Sequence, residues 1–147
     1  MKILLATDGT SFSDRAVNGV ASRPWPEGSE IKVLYVVHPP IPDVPDPLLM
    51  LYAARIQMLK HEREHGKTTV ERAASRLREG EGNRSLEITT EVLEGSPKGL
   101  IVDEAERWDA DLIVVGSRGR GAAGRFLLGS VSLAVAMRAP CSVEIVH

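Results

Sequence analysis

Five short, mostly apolar runs alternate with helical patterns along this 147-residue chain, and this alternation restricts the fold more than any other feature. A helical pattern, with apolar residues three and four positions apart, separates each run from the next. Parallel strands need such long crossovers, and the crossovers are right-handed. The order therefore predicts an α/β fold, a doubly wound, five-stranded parallel sheet with helices on both faces. The predicted strands span residues 2–7, 31–37, 86–93, 112–115 and 141–146.

The predicted order of these strands in the sheet is 3-2-1-4-5. Residues 86–93 alternate apolar and polar side chains, which is consistent with a half-exposed strand 3 at one edge. In this order the winding direction reverses between strands 1 and 4. Doubly wound folds bind ligands in the crevice at the carboxyl ends of the two strands that flank such a reversal. Asp8 follows strand 1 and Gly116 follows strand 4, so both are expected to border one crevice.

The stretch GSRGRGAAGRFLLGS, at 116–130, holds five glycines and three arginines between strand 4 and the last helical pattern. Glycines let backbone N–H groups approach a ligand, and a helix N-terminus adds unpaired donors with partial positive charge. The charges of Arg118, Arg120 and Arg125 suit phosphate oxygens. A flexible basic surface loop would have the same composition, but the position directly after a buried-type strand favours phosphate binding.

Two common phosphate motifs fail on this loop, and a third pattern fits it. The G-x-G-x-x-G match at 119–124 is misplaced for a dinucleotide fingerprint, which belongs after the first strand. The P-loop spacing at 124–130 has Ser130 where the lysine should be. The spacing Gly116-x2-Gly119-x9-Gly129-Ser130 closely resembles the ATP-binding signature of the universal stress protein family, an adenine nucleotide alpha hydrolase-like group. The resemblance covers nearly the whole chain, includes the strand order, and implies a single universal stress protein domain over residues 1–147.

The resemblance also implies nucleotide contacts at the strand ends. Asp8 would contact the adenine base, the backbone of Val36 would read the adenine edge, and Gly116 would lie near the ribose. An Asx turn is the structural alternative for Asp8. Ala6 stands where the family often has proline, which leaves the aspartate in place.

The phosphates would lie against the glycine loop and the start of the last helix. By the same resemblance, Gly119, Gly129, Ser130 and Val131 would cradle them, whereas Arg118 and Arg120 are added from their charge alone. The complete set of expected binding residues is Ala6, Thr7, Asp8, Val36, Gly116, Arg118, Gly119, Arg120, Gly129, Ser130 and Val131.

The function expected from this resemblance is that of a nucleotide-dependent regulatory protein of the stress response. Bound ATP, with Mg²⁺, would order the loop and alter a surface that a regulatory protein partner recognises. No catalytic residue and no metal ligand is assigned, because the chain shows no P-loop lysine and no recognisable Ser-His-Asp arrangement. Slow ATP hydrolysis, self-phosphorylation and a nucleotide-free interaction module stay open as alternatives, since this architecture hosts many functions.

Composition restricts the partners and the compartment. The formal net charge of −2 argues against nucleic acid or an anionic membrane as the main partner. No window reaches the ~18 apolar residues of a membrane span, and the N-terminal run is too short for a signal peptide. One cysteine, Cys141, excludes an internal disulfide and suits a reducing cytoplasm. Its neighbours indicate a small core residue.

Local features in the first half of the chain carry separate predictions. Ser13 is expected to cap the helix after strand 1. The proline-rich segment 38–47 is either a stiff linker or a lid beside the ligand site. The charged run KHEREHGK, at 60–67, is interpreted as a solvated helix face with two surface histidines, and Gly66 as a bend or a division of the long helix.

The last strand predicts a homodimer joined through residues 141–147. In the order 3-2-1-4-5 this strand is a sheet edge with unpaired backbone N–H and C=O groups, and Glu144 is its only charge. A two-fold axis would pair the strand antiparallel with its own copy. The resemblance agrees, since family members commonly dimerise through this strand.

Overall fold

The structure, a computed structural model, describes residues 1–38, 48–80, 86–119 and 128–147, and for residues 48–53 the backbone alone. Most of the proline-rich segment lies outside the described residues, and with it the choice between a linker and a lid. Arg120 and Arg125 also lie outside them.

Five parallel strands form one sheet in the order β3-β2-β1-β4-β5, which confirms the predicted fold class and strand order. Strand β1 is central, and its Leu5 lies between Val33 of β2 and Val114 of β4. In chain order the elements are β1 (Lys2–Ala6), α1 (Ser11–Ala21), β2 (Glu30–Val37), α2 (Leu48–Glu79), β3 (Glu87–Glu94), α3 (Pro97–Trp108), β4 (Leu112–Gly116), α4 (Ser130–Arg138) and β5 (Ser142–Val146).

The sheet separates two hydrophobic layers, because alternate side chains of each strand face opposite sides. Ile3 and Leu5 of β1 pack in the layer formed with α1 and α2. Leu4 packs in the layer formed with α3 and α4. The middle of β1 is therefore buried on both faces, which explains why its sequence is an unbroken apolar run.

Gly66 does not divide the long helix, which runs as one element through Leu48–Glu79. The glycine is buried against the ring of Tyr35 in β2, and a Cβ there would lie 2.7 Å from Tyr35 Cδ1. Real Cβ atoms do not approach another atom so closely. Position 66 thus holds glycine because the Tyr35 ring fills the space that a side chain would need.

Thr10, and not Ser13, caps α1. The helix begins at Ser11, and the Thr10 hydroxyl oxygen accepts a hydrogen bond from the Ser13 N–H at 3.4 Å. Ser13 is buried in the first turn, where its hydroxyl donates to the Thr10 carbonyl at 2.9 Å. The prediction chose the wrong residue because several hydroxyl side chains follow one another here, and each type suits an N-cap.

The remaining local predictions concern single side chains and membrane segments. Cys141 is half-buried against the layer formed with α3 and α4, and this burial raises the pKa of its thiol. His61 and His65 are exposed, and the described residues hold no group of three or more His, Cys, Asp or Glu side chains placed to share a metal ion. Among those residues, no helix has the length and apolar character needed to cross a membrane.

Candidate functional site

A cavity of about 560 Å³ opens at the carboxyl ends of β1, β2 and β4, where the crevice was predicted. Every predicted binding residue that the structure describes lines this cavity, and Arg120 lies outside the described residues. The lining residues are Ala6, Thr7, Asp8, Ser13, Leu34, Tyr35, Val36, His38, Glu62, Pro97, Ile101, Val115, Gly116, Arg118, Gly119, Leu128, Gly129, Ser130, Val131 and Ser132.

Asp8 forms the tight turn between β1 and α1. Its Oδ1 accepts hydrogen bonds from the Thr10 N–H at 3.1 Å and from the Thr10 hydroxyl at 2.7 Å. Gly9 lies between them with a φ of 76°, a conformation that favours glycine. The Asx-turn alternative therefore describes Asp8 correctly, and the same residue is also part of the cavity wall.

The turn after β1 and the loop after β4 are in direct contact. A Cβ on Gly119 would lie 2.9 Å from Asp8 Oδ2, so the glycine gives the carboxylate room to lie against the loop backbone. Since two hydrogen bonds hold Asp8 in its turn, the carboxylate cannot simply swing away from a larger residue. The two strand ends thus converge on one crevice through this contact.

Gly116 is kept free of a side chain by α1. A Cβ there would lie 2.7 Å from the Phe12 carbonyl carbon and 2.8 Å from the Ser13 nitrogen, and both are backbone atoms. Gly116 also lines the cavity. Its first role is therefore to let the end of β4 pack against the first turn of α1, which fixes the position of the glycine loop.

Gly129 caps α4 and holds the start of that helix against the loop. Its φ of −63° is ordinary, so no special backbone conformation requires glycine here. A Cβ would instead lie 3.2 Å from Arg118 Cα and 3.3 Å from the Ser117 carbonyl oxygen, which accepts the Gly129 N–H at 2.8 Å. Residues 130–132, the first turn of α4, line the cavity and have no side-chain cap. The N–H groups of such a turn are donors with partial positive charge, so this part of the cavity suits an anion.

Arg118 adds a positive charge near the start of α4. Its guanidinium carbon lies 5.3 Å from the centroid of the Phe12 ring, and Arg15 approaches the same ring at 5.0 Å. Arg118 is half-buried and lines the cavity. The aromatic contact favours an Arg118 side chain that stays at the cavity wall.

Another part of the cavity is apolar. Leu34 and Val36 of β2, Val115 of β4 and Ile101 of α3 line it, and all four belong to the layer formed with α3 and α4. An apolar slot beside a set of backbone donors suits a ligand that combines a flat apolar group with an anionic one.

Sequence reasoning missed the polar residues that reach the cavity from β2 and α2. Glu62 lines the cavity, and its Oε2 accepts a hydrogen bond from the Tyr35 hydroxyl at 3.3 Å. The interpretation of 60–67 as a solvated face was therefore wrong for Glu62. A signal was present in Gly66, which lies one helical turn further on and is buried, because residues four apart share a helix face.

A doubly wound sheet with a glycine-lined cavity where its winding reverses is the arrangement of Rossmann-like α/β domains that bind small ligands. The model of the universal stress protein family matches residues 1–147, and the chain belongs to that family. The resemblance inferred from the glycine spacing is thereby confirmed.

Two kinds of relative differ in how much of their length this chain covers. A universal stress protein of Methanocaldococcus jannaschii is 33% identical over 145 residues, which are 99% of this chain and 81% of the relative. A universal stress protein of Mycobacterium tuberculosis is 29% identical over 146 residues, which are 99% of this chain but 47% of the relative. The chain therefore spans about half the length of that mycobacterial relative.

Solved structures of universal stress proteins share the fold over the whole chain. The protein UspA of Lactobacillus plantarum superposes with a TM-score of 0.79 at 25% identity and covers 100% of this chain and 97% of its own. A universal stress protein in complex with cAMP has a TM-score of 0.66 at 25% identity, covering 100% and 96%. The protein of Archaeoglobus fulgidus in complex with dAMP has a TM-score of 0.68 at 22% identity, covering 100% and 98%.

Proposed function

We propose that this protein is an ATP-binding regulatory protein whose bound nucleotide changes a surface that a partner protein recognises. The observation that carries the proposal is the cavity in which an apolar slot meets the open N-terminus of α4. An adenine nucleotide has the same division into a flat base and anionic phosphates. The complexes of similar proteins with cAMP and dAMP support an adenine nucleotide as the ligand class.

In this proposal the nucleoside part lies at the ends of the central strands. The base occupies the apolar slot, where the backbone of Val36 reads its edge and Asp8 accepts from its amine. Gly116 lies near the ribose. The slot stabilises the base mainly by excluding water from its faces.

The phosphates lie against the glycine loop in the same proposal. Gly119 and Gly129 let the loop pack closely against Asp8 and the start of α4, which shapes the site for the phosphates. The first turn of α4 donates its N–H groups and the Ser130 hydroxyl. The charge of Arg118 adds to this attraction. Mg²⁺ accompanies the phosphates, which supply oxygen ligands while the ion keeps several waters.

Helix α4 gives the nucleotide a route to a partner protein. Its first turn is part of the phosphate site, and its Leu133 and Met137 are exposed apolar side chains, Met137 at 78%. A ligand that fixes the start of α4 also fixes this exposed face. We place the function in one domain, residues 1–147, and in a reducing compartment such as the cytoplasm, which suits a lone free cysteine.

Calorimetric titration with ATP and Mg²⁺, and separately with NAD, tests the ligand. We expect ATP to bind at least about tenfold more tightly, a difference of about 1.4 kcal/mol, because NAD places a second nucleoside where the phosphates meet α4. Equal or tighter binding of NAD would overturn the proposed function.

We also propose a homodimer joined through residues 141–147. β5 is a sheet edge, and its one charge, Glu144, is bound by Arg23 of α1 through hydrogen bonds of 2.8 and 2.9 Å. An edge strand is usually protected from other strands by its charges. Here the charge is neutralised within the chain, so it does not oppose pairing with a second copy.

The backbone of β5 shows which residues would meet the partner. The Ser117 N–H donates to the Val146 carbonyl at 2.7 Å, so Val146 faces β4. Backbone groups alternate along a strand, so Glu144 also faces β4, while Val143 and Ile145 present their N–H and C=O groups outward.

Proline substitution on the two sides of β5 tests the dimer. By light scattering the parent should have twice its 16.0 kDa mass. Val143→Pro and Ile145→Pro should give folded monomers, because only outward N–H groups are lost. Glu144→Pro and Val146→Pro are the matched controls and should destabilise the fold itself. A monomeric parent, or a dimer indifferent to all four changes, would refute the interface.

A further inference from the structure

We infer that Glu62 is a specificity-determining residue of the cavity, which accepts hydrogen bonds from donor groups of the nucleoside part of the ligand. The inference rests on the proposed function, because it names a contact to the same nucleotide. Glu62 lies on α2, an element that the glycine spacing does not include, yet it lines the same cavity as the loop and the start of α4.

The charge of Glu62 determines which part of a nucleotide it can face. An ionised carboxylate accepts hydrogen bonds and donates none, and it repels phosphate. The glycine loop and the first turn of α4 present donors, which match phosphate oxygens. Hydroxyl and amine donors occur in a nucleotide only on the ribose and the base. Mg²⁺ is the other group that a carboxylate can face, but Glu62 is held by Tyr35, the neighbour in β2 of Val36 at the base. Glu62 is therefore matched to the nucleoside part.

Asp8, the other carboxylate among the described lining residues, is held differently. Two hydrogen bonds from Thr10 engage its Oδ1, and its Oδ2 lies against Gly119. The position of Asp8 is thus set by the turn and the loop. The position of Glu62 is set by α2, on which it lies, and by Tyr35 of β2. The two carboxylates therefore present acceptor oxygens from different walls of the cavity.

Tyr35 positions the Glu62 carboxylate before a ligand arrives. The Tyr35 side chain is buried, with its ring against Gly66 and at 6.0 Å, edge-on, from the ring of His65. Its hydroxyl donates to Glu62 Oε2 at 3.3 Å. Because packing fixes the ring, the hydroxyl holds the carboxylate at the cavity wall. A binding group that is already oriented loses less freedom when the ligand binds.

A site built around a ligand donor discriminates against analogues that lack it, since the hydrogen bond between that donor and the site is then lost. The donor can be a ribose hydroxyl or the hydrogen of the exocyclic amine that Asp8 does not accept. Titrations with ATP, 2′-deoxy-ATP, 3′-deoxy-ATP and inosine triphosphate separate these sources, because each analogue lacks one donor. We expect the parent protein to bind one of the three analogues about tenfold more weakly than ATP.

Glu62→Gln is the decisive variant, and Glu64→Gln is its matched control. Glu64 lies on the same helix but is exposed, is paired with Lys67 at 3.2 Å and does not line the cavity. Glu62→Gln should weaken ATP binding and clearly reduce the preference over that analogue, because the amide oxygen still accepts a hydrogen bond but without the charge that strengthens it. Glu64→Gln should behave as the parent. Tyr35→Phe keeps the packed ring, and it should lose part of the preference while the melting temperature changes little.

The outcomes separate this inference from the proposed function. If the parent binds ATP and Glu62→Gln keeps both the affinity and the preference, the inference is overturned and the proposed function stands. The same holds if Glu62→Gln tightens binding of every nucleotide equally, since Glu62 would then act only as a repulsive charge. A parent that binds no adenine nucleotide overturns both. Circular dichroism of each variant confirms that the protein compared is folded.

Discussion

The two ends of the parallel sheet are built from different kinds of contact. At the carboxyl end, glycines let the turn after β1, the loop after β4 and the start of α4 lie close together, with Gly119 against the Asp8 carboxylate and Gly129 against the loop backbone. At the amino end, charged side chains pair across elements. Lys32 of β2 binds Glu104 of α3 at 2.6 Å, and Arg107 holds the same carboxylate. Strand β2 reaches both ends, with Lys32 near its start and Val36 near its finish.

Size alone does not distinguish the two ends. A hollow of about 440 Å³ lies beside Lys32 and Trp108 at the amino end, comparable with the cavity at the carboxyl end. The ammonium groups of Lys2 and Lys32 lie 5.7 and 4.8 Å from the Trp108 ring, and Lys32 is also within 3.4 Å of Glu91. These charges already have partners within the chain, so they offer less to a ligand. The first turn of α4, by contrast, has no side-chain cap, and its donors suit a ligand.

The largest expected effect comes from removing Glu104, which is 3% exposed and the centre of the amino-end network. Glu104→Ala should lower the free energy of unfolding by about 3 kcal/mol, because removing one partner of a buried pair leaves the other charge partly uncompensated. Glu91 remains near Lys32, which keeps the loss at the low end of the usual range. Urea denaturation measures the stability, and ATP affinity should change less than about twofold, well under 1 kcal/mol.

The double variant Lys32→Met, Glu104→Leu is the control for this prediction. Replacing both charges by apolar side chains of similar volume is often neutral or stabilising, so most of the lost stability should return. A double variant as unstable as Glu104→Ala would show that packing at this position, and not the uncompensated charge, causes the loss.

Gly129→Val should have the next largest effect, and at the opposite end of the sheet. The new Cβ would press on Arg118 Cα and on the Ser117 carbonyl, which must give by a few tenths of an ångström, and the two γ-methyl groups of valine would add to the crowding at the proposed phosphate site. We expect about 100-fold weaker ATP binding, or about 2.8 kcal/mol, with an unchanged helical circular-dichroism spectrum. Gly19→Val is the matched control, because a Cβ on Gly19 meets no atom within 4 Å beyond its chain neighbours and the backbone of its own helix. Parent-like ATP affinity in Gly129→Val would mean that the phosphates lie elsewhere.

The fold could be predicted from the sequence because it depends on patterns that are local in the chain. Each strand is a short local pattern, either an apolar run such as Lys2–Ala6 or an alternation such as Glu87–Glu94, and the crossovers between the strands leave few possible topologies. The crevice followed from the topology, since Asp8 and Gly116 end neighbouring strands. The glycine spacing then indicated which loop borders it.

Contacts between distant side chains could not be predicted in this way. Lys32 and Glu104 are 72 residues apart, and each belongs to a charged surface pattern when its own element is considered alone. Glu62 appeared to be one charge among many, because its inward direction depends on how α2 packs on Tyr35. The contacts that require each glycine could not be predicted from the sequence either. The sequence does not show that Gly116 is required by α1 and Gly129 by the loop.

The smallest expected effect is the dependence of stability on pH, which again separates the two ends. Burial acts to raise the pKa of Glu104, but the hydrogen bonds and charges of Lys32 and Arg107 outweigh it and hold that pKa below its usual value of 4.5. The unfolded chain therefore binds a proton at Glu104 at a higher pH than the folded protein does. The resulting stability is fully present above the unfolded pKa, and it is lost as the pH falls through the folded one.

Glu104→Gln removes this titration, so the free energy of unfolding should fall less steeply below about pH 4.5 than in the parent. Urea midpoints measured from pH 7 to pH 3 give the two curves. Glu106→Gln, an exposed position on the same helix, is the matched control and should follow the parent. Because the carboxyl-end cavity does not include Glu104, the ratio of ATP affinities between parent and Glu104→Gln should stay constant across the pH range in which both are folded. If the free energy of unfolding fell equally steeply below about pH 4.5 in the parent and in Glu104→Gln, the ion pairs of Glu104 would not be what stabilises the fold at the amino end.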